Sequence, residues 1–245
     1  MDLLDSYVLR ARLFPAILAA APAIVFLLAN VAASLDSLGL PQVLLTVAIA
    51  VLFFALADLA RRLGRREEKS LFNSSGGRPF PTVLRHIDEV LDAKSKARYL
   101  AFLSEKLGER APSANAELKD PAKADAFYVS AGNWIREHTR DTTKFHLLFA
   151  ENVVYGFRRN LFGLKRIGLA LNLLTVMISL WLLWHDNWNN MSQYSAVLVV
   201  AALHAAYFLF GVTKQSVLQA SEQYGRQLAL SCDTLMDIQA ASSAH

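Results

Sequence analysis

Arg78, Arg85, Lys94, Lys96, Arg98, Arg136, Arg140, Lys144, Arg158 and Arg159 are interleaved with Tyr99, Phe127, Tyr128, Trp134 and Tyr155 through the middle of this chain. Guanidinium groups pair bidentately with phosphate, and aromatic rings stack on unpaired bases. The mixture therefore suits a nucleotide-like ligand. A plainer account exists for part of it. Arg158, Arg159, Lys165 and Arg166 stand just before an apolar stretch, where basic residues serve as topology signals or contacts to anionic lipid.

Residues that would do covalent chemistry are missing. Gly76-Gly77 is followed by Arg78-Pro79 rather than by Lys and Ser or Thr, so there is no Walker A loop. Neither HExxH nor a spaced Cys/His set occurs, which leaves no expected metal or cofactor site. Ser74, His86 and Asp88 could be assembled into a triad, but nothing around them resembles a nucleophile elbow. His86, His138 and His146 read as surface or interhelical histidines. The single cysteine, Cys232, offers neither a disulfide framework nor a metal cluster and reads as a small, half-buried residue. The chain is not expected to be an enzyme.

What positions the basic and aromatic residues is a set of apolar stretches: residues 13–35, 43–60, 167–184 and 195–212. With 54% hydrophobic residues and a mean hydropathy of +0.28, the chain exceeds what a soluble domain of this length carries. A hydrocarbon core about 30 Å thick needs about 20 helical residues, which the first stretch meets without tilt. A cleaved signal peptide is the rival for that stretch. Its apolar core is too long, Asp2 and Asp5 stand in the leader, and a second apolar stretch follows at once.

Basic residues give the sidedness. Arg10 and Arg12 precede the first stretch, while Arg61, Arg62, Arg65 and Arg66 follow the second. Arg158, Arg159, Lys165 and Arg166 precede the third, and Lys214 follows the fourth. The connectors 36–42 and 185–194 carry no Lys or Arg. The positive-inside rule then predicts four transmembrane helices in two hairpins, with both termini and the middle in the cytoplasm. Trp184, Trp188 and Tyr194 fall where an outer aromatic belt would lie.

Polar residues in or near the spans have two readings. Asn30, Asp58, Asn172 and His204 could line a permeation path, since ionisable groups at that depth usually face protein or water. Alternatively, Asp58 pairs with Arg61 or Arg62, and the others are interhelical hydrogen bonders. Pro15 and Pro22 should perturb the first helix. Four spans enclose little by themselves, so a channel would need several subunits.

The middle reads as helical. A turn-rich segment at 73–81 leads to helices predicted at 95–107, stopped by Gly108, and at 121–139, opened by Pro121. A third helix, 143–161, runs towards the third span and could carry a shift from module to membrane. In the tail, Val217, Ser221, Tyr224, Leu228, Ser231, Leu235 and Ile238 alternate four- and three-residue spacings, as coiled-coil seams do. Subunit association is preferred over packing against the chain's own middle, although either produces this pattern. The expected organisation is a first hairpin at 1–60, a cytosolic module at 61–164, a second hairpin at 165–212 and a cytosolic helix at 213–245.

Two strings carry a family resemblance. The first is Thr82-Val83-Leu84-Arg85-His86 with Lys96-Ala97-Arg98-Tyr99. The second, more specific, is Trp134-Ile135-Arg136-Glu137-His138-Thr139-Arg140-Asp141 with Glu151-Asn152-Val153-Val154-Tyr155-Gly156-Phe157-Arg158-Arg159-Asn160-Leu161. They resemble small bacterial membrane effectors encoded beside nucleotidyltransferases in anti-phage defence loci, the Hailong channel effectors among them. The resemblance implies a homo-oligomeric ion channel, a tetramer by preference, in the bacterial inner membrane. It also implies that short single-stranded oligodeoxyadenylate holds the channel shut, and that its loss depolarises the infected cell.

On that resemblance, Arg85, Arg98, Arg136, Arg140, Arg158 and Arg159 are the expected phosphate contacts, and Tyr99, Trp134 or Tyr155 the stacking residues. Asp36 and Asp58 become candidates for a cation-attracting pore entrance or lining, beside Asn30, Asn172 and His204. A different class of reading is a non-channel scaffold or sensor that docks a nucleotidyltransferase-like partner. A small transporter would call for internal repeats or broken spans, and no convincing repeat is present.

Overall fold

The computed structural model describes residues 6–32, 40–74 and 77–243, with side chains described outside 31–32, 40–50, 74, 81 and 242–243. The described residues are all-α. In chain order the helices are α1 (Phe14–Ala32), α2 (Leu40–Ser74), α3 (Ala93–Leu107), α4 (Ala114–Lys119), α5 (Pro121–His138), α6 (His146–His185), α7 (Met191–Ala206) and α8 (Lys214–Ser243). A π-helical turn, Leu9–Leu13, precedes α1, and a second, Tyr207–Gly211, follows α7. The chain divides into two compact units: Met1–Ser70 with Gly156–Val217, and Leu71–Tyr155 with Leu218–His245.

Three helical stretches among the described residues, lying wholly or mostly in the first unit, are long and apolar enough to cross a membrane: Ser6–Asn30, His146–His185 and Met191–Gly211. Their length and composition suit a membrane location. The expected second span falls within α2, whose residues 40–50 have no described side chains. The helix expected at 143–161 and the third expected span form one unbroken α6 of 40 residues, about 60 Å at 1.5 Å per residue.

Small residues set the packing here. Ala16, Ala19, Ala57 and Ala60 are buried with Leu161, Leu164 and Phe208 in one cluster. At Gly163 an added Cβ would come within 2.5 Å of the Gly64 backbone nitrogen, so α2 and α6 cross with their backbones nearly touching. Lys165, read from sequence as a topology signal, also donates its Nζ to the Val212 carbonyl at 2.8 Å and to that of Leu209 at 3.3 Å. It thereby satisfies carbonyls that the π-helical turn leaves open. Trp184 and Trp188 are exposed at the α6–α7 turn, where Asn187 and Trp188 adopt positive φ.

The second unit owes its short helices to local capping. Asp92 accepts the Ser95 amide at 2.8 Å to open α3, and Gly108, at φ 64°, closes it in the left-handed conformation. Ser113 caps α4. Asp120 accepts the Lys123 amide ahead of Pro121, whose missing N–H costs nothing at a first helical position. The core gathers Tyr99, Leu103, Tyr128 and Ile135 with Leu228, Ala229 and Cys232 of α8.

Two sequence expectations change here. The alternating face of α8 is covered by the chain itself: Leu228 is fully buried, Leu235 nearly so, and both sit in the core that holds Tyr99 and Phe102. The three–four spacing therefore marks self-packing, the less favoured alternative. Cys232 is fully rather than half buried, and burial pushes its thiol up to about 12, which keeps it protonated and unreactive.

Candidate functional site

Two of the six expected phosphate-binding arginines share one cleft. Arg136 in the last turn of α5 and Arg140 just beyond its end both line a 280 Å³ hollow with Thr139, Thr142, Asn152 and Tyr224. Thr139 terminates α5, and its Oγ1 donates to the Ile135 carbonyl at 2.8 Å. Asp141 accepts the amides of Thr143 at 3.0 Å and Lys144 at 3.1 Å, fixing the turn into α6. Those two amides hold the Asp141 carboxyl below its ordinary value. Leu148 and Phe149 of α6 complete the apolar side of the hollow.

The cations there are lightly held. Arg136 donates to Asn133 Oδ1 at 3.1 Å and lies over the Phe80 ring, 5.7 Å from its centroid. Arg140 pairs with Glu137 at 2.6 Å, with both side chains largely exposed. An ion pair so exposed is worth about 0–1 kcal/mol, so a phosphate could replace Glu137 at small cost. Tyr224 stacks on Tyr155 with centroids 6.0 Å apart and planes 4° from parallel. Tyr155, an expected stacking residue, thus supports the ring that lines the cleft.

The remaining expected contacts lie elsewhere, and all but Arg158 have partners of their own among the described residues. Arg85 makes a two-pronged pair with Asp125, one prong at 2.9 Å, and this bond raises its pKa further. Arg98 donates to Asp233 at 2.6 Å. Arg159 pairs with Glu68 at 3.1 Å in the membrane unit, and Arg158 stands half-buried beside it in sequence. Tyr99 corrects its expectation outright. Its ring is fully buried and its hydroxyl donates to Asp233 at 2.6 Å, so neither face is open to a base. Burial and the Asp233 bond push that phenol up to about 12. Trp134 is half-buried, stacked on the His138 ring at 4.0 Å and edge-on to Phe102 at 5.7 Å.

The pore candidates take the interhelical and interfacial roles. Asn30 Nδ2 donates to the Phe26 carbonyl at 2.8 Å, and its Oδ1 accepts from the Tyr194 hydroxyl at 3.0 Å. Asp58 pairs with Arg62 one turn along α2. Asn172 and His204 are buried against each other. Asp36 lies outside the described residues.

Sequence reasoning misses Tyr224, Asn152, Thr139 and Thr142 as site residues. Thr139 and Asn152 do stand within the strings that carry the family resemblance, whereas Tyr224 reads only as a seam position. Among the described residues no group of His, Cys, Asp and Glu side chains could hold a metal ion. Compared with known proteins, the chain matches no family model, no curated protein and no solved structure.

Proposed function

We propose that the protein is a membrane effector of bacterial anti-phage defence: a homo-oligomeric ion channel, tetrameric by preference, controlled by a nucleotide or short single-stranded DNA on its cytosolic unit. The ligand holds the channel closed, and its loss depolarises the infected cell. A nucleotidyltransferase-like protein is the functional partner that supplies the ligand. Residues 43–60 of α2 form the fourth span, and both termini lie in the cytoplasm of a cell whose inner membrane carries the channel.

The observation that carries this reading is the cleft holding Arg136, Arg140 and Tyr224, in a chain that also has three helical stretches apolar enough for a bilayer. Two guanidiniums and an aromatic ring lining one hollow suit a phosphate joined to a base. The family resemblance of the surrounding strings supplies the channel and the sense of control.

Planar-bilayer recording with the purified protein tests it. Current without ligand, suppressed by oligodeoxyadenylate and restored on washout, is the expected result. Absence of current in both conditions would overturn the channel. Current indifferent to the oligonucleotide would overturn the ligand. A stable complex with a nucleotidyltransferase and no conductance would favour the scaffold reading instead.

A further inference from the structure

Inside the membrane unit, Asn172 of α6 and His204 of α7 form a link whose chemistry fixes the proton on the imidazole. Asn172 Nδ2 donates to the Ala201 carbonyl at 2.8 Å and stands 2.9 Å from His204 Nδ1. A carbonyl oxygen only accepts, so the NH₂ end of the amide must face it. The same nitrogen therefore presents its second hydrogen to the ring. Nδ1 is then a lone-pair acceptor, and the ring is the neutral Nε2–H tautomer.

The other side of the ring meets α1. Among the described residues His204 interacts there with the carbonyls of Leu18 and Ala19 and with no charged group. Leu18 stands four residues before Pro22, which lies inside α1 and has no N–H to give back to it. Nε2 itself is buried and makes no hydrogen bond. Phe208 covers one ring face, with centroids 4.1 Å apart. The elements around the ring thus offer Leu18 and Ala19 from α1, Asn172 from α6, and Ala201 and Phe208 from its own segment, none of them titratable.

We infer that the Asn172–His204 pair is a proton-sensitive latch between α6 and α7, closed by the neutral ring and opened when the ring is protonated. A second proton would go to Nδ1, placing N–H against N–H₂ at hydrogen-bond distance. Rotating the amide does not help, because its oxygen would then face the Ala201 carbonyl. In either orientation the amide keeps one of its two contacts and turns the other into a repulsion, in an interior where no water replaces it. Acid therefore loosens α7 from α6 whether or not any ligand is bound, and the latch does not depend on the channel reading.

Thermal unfolding of the full chain in detergent tests this at two pH values, about 7.5 and about 5.5, which bracket the ordinary imidazole range. The midpoint of the wild-type protein should fall by several degrees on acidification. His204→Asn places a non-titrating acceptor near the position of Nδ1, and its midpoint should stay level over the same interval. An equal acid-induced fall in His204→Asn would overturn the latch. Ring-¹⁵N-histidine spectra of protein that keeps His204 give a second readout if that variant does not fold. Among the described residues His86, His138, His146 and His185 are exposed, so in protein carrying His245→Gln the solvent-protected ring identifies His204. An Nε2–H ring at neutral pH is expected, and an Nδ1–H ring would overturn the assignment.

Discussion

Arg159 of α6 donates to the Glu68 carboxylate of α2 at 3.1 Å, with only 12% and 10% of the two side chains exposed. The pair lies near the Gly64–Gly163 crossing, where Asn160 Nδ2 also donates to the Ala11 carbonyl at 2.7 Å. Removing one member of a buried pair leaves the other's charge poorly compensated, at a cost of about 3–5 kcal/mol. Glu68→Ala should therefore lower the yield of folded protein in detergent, read by size-exclusion chromatography and thermal midpoint. Glu68→Asp, which keeps the charge, should lose much less.

Arg136→Ala with Arg140→Ala should abolish most oligonucleotide affinity and leave folding intact. Each charge-assisted hydrogen bond lost is worth about 1.5–3 kcal/mol, or roughly ten- to a hundredfold in binding. Fluorescence anisotropy with labelled oligodeoxyadenylate measures this. The salt dependence should flatten too, by about 0.7 in log–log slope per phosphate contact removed. Arg85→Ala, outside the cleft, should instead lower stability by breaking the Asp125 pair, with affinity nearly unchanged.

Leu228→Ala distinguishes a self-packed tail from an intersubunit seam. Leu228 is fully buried in the core of the second unit. Truncating such a residue costs about 2–5 kcal/mol. The thermal midpoint should drop while the native mass of the assembly, by light scattering in detergent, stays the same. Dissociation into smaller species at an unchanged midpoint would assign this face to subunit contact.

Tyr99→Phe carries a pH signature. The neutral phenol is the form that donates to Asp233, and its pKa is raised to about 12 from an ordinary value of about 10. A raised value means that the stabilisation is complete below about pH 10 and disappears as pH climbs towards 12. Tyr99→Phe should cost about 1 kcal/mol at neutral pH. It should also lose part of the alkaline destabilisation between those limits, measured by denaturant midpoints across the pH series.

Several features of the fold are legible in the residues because they depend on near neighbours in the chain. Apolar runs locate the spans within α1, α6 and α7. Asp120-Pro121 and Gly108 mark helix ends through capping and backbone preference, and the continuity of the 143–161 helix with the third span follows from the lack of any proline between them. Arg136 is placed on α5 by the helical pattern, whereas Arg140 lies beyond the helix end at Thr139 and joins it through the turn that Asp141 caps.

Partnership across the chain is not legible. Arg85, Arg98 and Arg159 look as available as Arg136 in sequence, yet each meets a carboxylate 40, 135 or 91 residues away. Tyr99 reads as a stacking residue beside Arg98, yet its ring is buried in the core and its hydroxyl donates to Asp233 of α8. Tyr224 reaches the cleft by the docking of the same helix, from a segment whose periodicity could have met either another subunit or this one. Spacing determines which residues share a helix face, because the helical repeat is local. What that face touches is decided only when distant segments pack, and here that packing left Arg136, Arg140 and Tyr224 around one hollow.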